Sequence, residues 1–356
     1  MSQAIGLYLE PLDTLFCRDG RPFEASTRAE SGLPQPRTLA GALRTRLVQG
    51  YIDLRRLPEL RRRGQDIEQA LSQLGCPDWV LRTHFRGPWL ALGRGEQAEP
   101  LVPMPIILAQ DGDRLVRSRP LEPRALPGWY DPHGLWPLWR AGANEAKPAG
   151  GFLKLQGLRE FLEGREPALS QRIAVEKLYD FDERTGLRID PDRLTGEDGM
   201  LYGVRLLALQ RNVGLIAEVH PGPGAPADVA ARLAGPLQLG GEGRSIRVMP
   251  RSRIAWPEVP VGERSLWLLI TPAPLQQAHR PDNLGDCTVQ AAATAAPLTF
   301  SGWDVARNGP EPTRFAVPAG AVYFVQGKFS PEDGSLCGSP TDRAVGWGQA
   351  LRGVWQ

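Results

Sequence analysis

MLYGVRLLALQRNVGLIAEVH occupies residues 200–220, and its reading decides the fold class. Residues 200–209 and 213–220 are apolar runs separated by a polar step at Arg211-Asn212. The pattern predicts two short strands paired around that step. Outward from this point, strand and helix signals alternate in short units. GLRID (residues 186–190) reads as a strand, followed by a polar loop holding Thr195, Gly196, Asp198 and Gly199. Residues 228–233 read as a helix. SIRVMP, SLWLLI and AVYFV are rich in β-branched and aromatic residues and read as further strands.

Toward the N-terminus, residues 5–9 alternate before Pro11 and predict a first strand. A loop rich in Gly, Pro and charge covers residues 13–36. Leu39, Leu43, Leu47 and Leu54 then recur at helical spacing, with Thr38 placed to cap the helix. Arg37 and Arg44 are seven apart and share one face. Residues 66–74 predict a second helix ending at Gly75. PWLAL around Trp89 and PIILA around Ile107 precede Asp111-Gly112-Asp113, which predicts a hairpin. Residues 119–151 are rich in Pro, Gly and Trp without periodicity and predict an inserted loop or connection. Residues 155–162 predict a short amphipathic helix. Mixed short units of this kind predict an α+β fold rather than a doubly wound parallel sheet. The order strand, helix, hairpin, helix, strand is ferredoxin-like. Two copies fill the length. The expected organisation is two ferredoxin-like (RRM-like) domains with inserted loops, 1–160 with the Pro/Trp-rich insertion and 161–356 with Gly-rich loops.

The chain has 356 residues, a net charge of +2, 42% hydrophobic and 23% charged residues. This describes a folded protein without the bulk positive charge of a general nucleic-acid binder. The cations are almost all Arg, whose planar fork suits phosphate and stacks on bases. Local Arg clusters are therefore the places to look. Cys17, Cys76, Cys287 and Cys337 form no CxxC pair, which gives no zinc or disulfide pattern. No signal peptide or membrane-length apolar run is present, and a cytoplasmic location is expected.

The search for catalysis finds little. There is no phosphate-binding GxxxxGK[ST] loop and no HExxH metal motif. His84, His133, His220 and His279 stand isolated from one another in sequence. Each has the chemistry of a general base, and none adjoins a Gly-rich loop. The acid runs at Asp180, Asp182, Glu183 and at Asp190, Asp192 read as solvated turns rather than a metal site. LGGEGRS (residues 239–245), with Arg244 and Arg247 beside it, is more informative. Its glycines let backbone N–H groups approach a phosphate, or simply make a tight turn. GWGQALRG near residue 350 has the same character.

Five segments taken in order resemble one family. They are PLDTLFCRDGRPF (residues 11–23), PQPRTLAGALRTRL (34–47), TGLRIDPDRLTGEDGMLY (185–202), LGGEGRS and the closing GWGQALRGVW. The family is the RAMP-superfamily subunit of the Cmr (type III-B CRISPR) effector complex that binds the crRNA 5′ handle. The resemblance implies a non-catalytic subunit that needs no cofactor or metal. Its implied partners are the crRNA 5′ handle, the large polymerase-like subunit and the backbone RAMP subunit. It implies RNA contacts at Arg18 and Arg21 in the first motif, and at Arg37 and Arg44 on the first helix. It also implies them at Arg184 and Arg188 around TGLRID, and at Gly240, Gly241, Gly243, Arg244 and Arg247 of the Gly-rich loop. A RAMP endoribonuclease that processes precursor crRNA is the alternative on the same fold. A protein-bridging subunit without RNA contact is a third reading. No RNP-type aromatic motif is evident, so recognition is expected to use backbone and shape more than stacking.

Overall fold

The computed structural model describes residues 4–18, 29–56, 59, 67–142, 145–189, 196–304 and 309–355. The chain begins with β1 (Ile5–Pro11), α1 (Pro36–Gln49) and β2 (His84–Leu92). A long stretch containing α2 (Leu155–Leu162) follows, and then β3 (Tyr179–Ile189) and β4 (Gly196–Leu209). The chain continues through β5 (Val213–His220), α3 (Val229–Leu233), β6 (Gly235–Gln238) and β7 (Ser245–Arg251). It closes with β8 (Arg264–Leu269), β9 (Thr288–Ala293), β10 (Val322–Gln326), α4 (Pro340–Ala344) and β11 (Ala350–Val354).

The α+β expectation holds, and the two largest sheets are antiparallel. The first has the order β6-β7-β1-β5-β2, with Glu99–Pro100 at the far edge. The second has the order β9-β10-β8-β11. One pattern underlies both. Number β1, β2, β5 and β7 in chain order, and likewise β8, β9, β10 and β11. Each sheet then reads 4-1-3-2, and a helix (α3, then α4) precedes each fourth strand.

Two sequence readings need correction. Residues 200–209 and 213–220 are strands, but they do not pair with each other. β4 pairs with β3, from Tyr179 opposite Leu209 to Leu187 opposite Leu201. β5 lies between β1 and β2. Burial explains the choice: every residue of β5 from Val213 to Val219 is buried. Such a strand belongs in the centre of a sheet, covered on both faces. The second correction concerns the division at residue 160. β5, α3 and β7 all follow that point, yet they complete the sheet begun by β1. Residues 93–212 are an excursion between two strands of that sheet.

α1 starts at Pro36 rather than at a Thr38 cap. Gln35 precedes it in extended conformation and makes no side-chain cap. Proline suits the first helical position because no N–H is lost there. The helix ends before Gly50, short of Leu54. Leu39, Leu43 and Leu47 of α1, with Val229 and Leu233 of α3, join Leu7, Leu9, Leu215 and Ala217 in one core cluster. Tyr8, Trp89 and Ile216 belong to a second cluster with Leu266, Leu268 and Phe324 of the second sheet. There Trp89 Nε1 donates to the Ile270 carbonyl at 3.2 Å. Each Leu, Ile, Val or Phe among them, fully buried, contributes about 1.5–3 kcal/mol. The face of the first sheet that carries the two aromatics is thus closed by the second half of the chain.

The Pro/Trp-rich stretch has short pairs, Arg119–Pro120 with Leu138–Trp139 and Lys147–Pro148 with Leu108–Asp111. Trp136 packs edge-on against Trp355 at 6.0 Å, and its backbone N–H donates to the Gln290 carbonyl of β9 at 2.6 Å. That bond covers an otherwise open sheet edge. Trp129, Tyr130 and Trp139 remain exposed. Among the described residues no helix is long and apolar enough to cross a membrane.

Candidate nucleic-acid interface

The loop that leaves β1 is pinned on two sides. Leu15 and Leu207 exchange backbone hydrogen bonds of 2.8 and 2.9 Å, which fastens the loop to β4. Gly241 donates to the Phe16 carbonyl at 2.8 Å, which fastens it to the Gly-rich segment. Ser31 Oγ accepts from Cys17 N at 2.9 Å and steadies the return of the chain toward α1. Two of the segments that carried the resemblance, the first motif and LGGEGRS, therefore meet, and the C-terminal part of β4 joins them at Leu207.

The Gly-rich segment is the turn of the β6–β7 hairpin. Leu239 N donates to the Arg244 carbonyl at 2.9 Å and Arg244 N to the Gly241 carbonyl at 3.2 Å. Gly240 and Gly243 have φ of 81° and 63°. A Cβ at Gly240 would collide with the Phe16 carbonyl oxygen, whereas a Cβ at Gly243 would meet nothing. Gly240 thus serves close packing, and Gly243 serves the turn. Gly240, Gly241 and Gly243 are all exposed.

Arginines ring this cluster, and several hold a carboxylate. Arg244 pairs with Asp13, and Arg247 lies 3.6 Å from Glu10. Arg94 approaches the other oxygen of Glu10 at 3.9 Å. Arg184 pairs with Asp182 at 2.7 Å. The Thr14 amide, then the charge of Arg244 and of Arg184, hold the Asp13 carboxyl below the usual range. Arg18 is exposed, and its backbone bridges to Ser31. Arg21 lies outside the described residues. Arg188 is part of β3, but its side chain is outside the description.

Arg37 and Arg44 make contacts of another kind. Arg37 pairs with Glu311 from the second half of the chain. Arg44 donates to the Thr83 carbonyl at 3.3 Å and sits 5.3 Å over the Phe85 ring. Burial pulls the Arg44 pKa down. Both side chains tie α1 to its neighbours.

The histidines, apart in sequence, stand in two pairs in space. His84 and His220 are cross-strand partners on β2 and β5. His84 Nδ1 lies 3.7 Å from Asp333, and His220 Nε2 lies 3.8 Å from buried Glu218. His133 stacks on His279 with ring centres 3.9 Å apart. Sequence spacing hides both pairs because each is made by strands or loops far apart in the chain. Asp182 is occupied by Arg184, and residues 190–192 lie outside the description. Among the described residues no group of three or more His, Cys, Asp or Glu is placed to hold a metal.

The cluster offers exposed backbone at a glycine turn with cations beside it. A family model described as CRISPR-associated protein (Cas_Cmr3) matches residues 7–355, and the chain belongs to that family. This is the family its motifs resemble. The fold is similar to a chain of a type III-B Cmr-beta complex bound to cognate target RNA. That match has a TM-score of 0.51 and 17% identity, covering 90% of this chain and 86% of the other. A chain of the same complex with target RNA and AMPPnP matches with a TM-score of 0.50 and 16% identity, at the same coverages. Among curated proteins there is no significant match.

Proposed function

We propose that this protein binds the repeat-derived 5′ handle of crRNA within a type III-B effector complex in the cytoplasm. In this reading it bridges the large polymerase-like subunit to the backbone RAMP subunits and performs no catalysis of its own. The observation that carries it is the junction at Phe16. There the first motif, the β3–β4 arm and the Gly-rich turn converge although they lie up to about 230 residues apart. The twice-repeated 4-1-3-2 order supports reading each half as a ferredoxin-like, RRM-related unit. In such units the open sheet face stacks bases. Here Tyr8 and Trp89 of the first sheet are buried against the second half, so RNA is left with loops, backbone and phosphate contacts.

Arg18, Arg184, Arg244 and Arg247, with Gly240, Gly241 and Gly243, form the proposed phosphate surface. Arg37 and Arg44 support it by fixing α1. The test is a tagged pull-down from native cells at moderate salt, with mass spectrometry of proteins and sequencing of RNA. Guide RNAs sharing one 5′ end, together with a large polymerase-like subunit, are expected. Recovery of the chain alone and free of RNA would overturn the reading.

A further inference from the structure

Beside Asp13, the partner of Arg244, lies a cavity of about 250 Å³ that the phosphate contacts do not line. Tyr8, Glu10, Asp13, Arg94, Arg211 and Asn212 are among its walls. Pockets that take whole small molecules start at about 300 Å³, so this one suits a single base rather than a whole nucleotide. Its chemistry is directional. Tyr8 donates its hydroxyl proton to the Gly93 carbonyl at 3.1 Å, leaving the oxygen as an acceptor. Glu10 has Arg94 at 3.9 Å and Arg247 at 3.6 Å, both beyond hydrogen-bond length. Its carboxylate therefore has cations nearby but keeps its acceptor sites open. Arg94 stands beside it, and Arg244 and Arg247 reach the same two carboxylates, Asp13 and Glu10, from the glycine hairpin.

We propose that this cavity receives one extruded guanine of the bound RNA, read by Glu10. The inference rests on the RNA-binding reading above and adds the base. Among the four bases only guanine presents two adjacent donors, N1–H and the exocyclic amine. A carboxylate accepts both in a bidentate pair. Guanine O6 and N7 are acceptors on the neighbouring edge and suit an arginine fork such as that of Arg94. Phosphates flanking the base would lie toward Arg244, Arg247 and the exposed glycine backbone. Gln at position 10 would put a donor where the second acceptor stood.

The test is a fluorescence anisotropy titration of the full chain with uridine octamers carrying one guanine, one inosine or one adenine. Inosine keeps N1–H and lacks the exocyclic amine. The wild type is expected to bind the guanine oligonucleotide about tenfold more tightly than the other two. Glu10→Gln is expected to bring all three within about twofold of one another. As a second measurement, 6-thioguanosine placed at the same site is expected to photocross-link to Arg94 or to the facing wall, residues 208–213. Equal binding of all three oligonucleotides by the wild type, or cross-links elsewhere, would overturn the guanine pocket while leaving the handle-binding reading in place. Binding of none of them would overturn both.

Discussion

Asp13 and Arg244, 231 residues apart in sequence, form an ion pair that joins the loop after β1 to the glycine hairpin. The pair does two things at once. It locks the two loops in register, and it occupies with a carboxylate a guanidinium suited to phosphate. Glu10 stands 3.6 Å from Arg247, and within β3 Asp182 holds Arg184, so carboxylates lie close to these two guanidinium groups as well.

Removing one of these carboxylates should therefore favour RNA. Asp13→Asn is expected to raise affinity for single-stranded RNA about two- to fivefold, the range set by an exposed ion pair. Arg247→Ala is expected to lower it and to reduce the log–log salt slope by about 0.7, one phosphate contact on a single strand. Anisotropy titrations between 50 and 300 mM salt, conditions of roughly the span over which such slopes are read, check both.

The glycines of the hairpin separate packing from flexibility. Gly240→Ala introduces a Cβ at φ 81° against the Phe16 carbonyl, and something must shift. A loss of about 3 kcal/mol is expected. Gly243→Ala meets open space at φ 63°, and a loss of about 1 kcal/mol is expected from backbone strain alone. Urea unfolding followed by tryptophan fluorescence measures both.

Sequence periodicity made the local elements legible because it depends only on neighbours. α2 falls on residues 155–162 as its amphipathic spacing predicts, and the hairpin at Gly112 joins Leu108–Asp111 to Arg114–Arg117. Pairing was less legible. The apolar runs on either side of Arg211-Asn212 suit a hairpin, yet β5 is drawn into the sheet centre by burial that only the whole fold supplies. The same holds for the site. The glycine turn and its arginines stand out in the sequence. Their acidic partners Asp13 and Glu10 do not, because nothing local links residues 10–13 to residues 244–247.

The joint between the two halves should weaken in acid. His84 faces Asp333, His220, Arg44 and Arg86, and burial, aided by the cations, holds its pKa below 6.5. A lowered histidine pKa means that the unfolded chain takes the proton first. Its contribution is whole above about 6.5 and is lost as pH falls toward the folded value. For Glu218, burial raises the pKa, but His220, the Ile254 amide and Arg253 outweigh it and leave it lowered. That adds a loss of the same sign at lower pH. Tm is expected to fall from pH 7 to pH 5, and His84→Gln is expected to flatten the upper part of that fall. A Tm that rises on acidification would contradict this account.

The most direct test of the central claim compares a crRNA 5′ handle with a scrambled RNA of equal length, bound by the wild type and by Arg244→Glu/Arg247→Glu. The account predicts tighter binding of the handle by the wild type. In the double variant, binding should be lost by a factor of at least about 100, the effect of removing two phosphate cations and adding two repulsive charges. Circular dichroism spectra should remain unchanged. Equal affinity of both proteins for both RNAs would contradict the placement of the handle on the glycine hairpin.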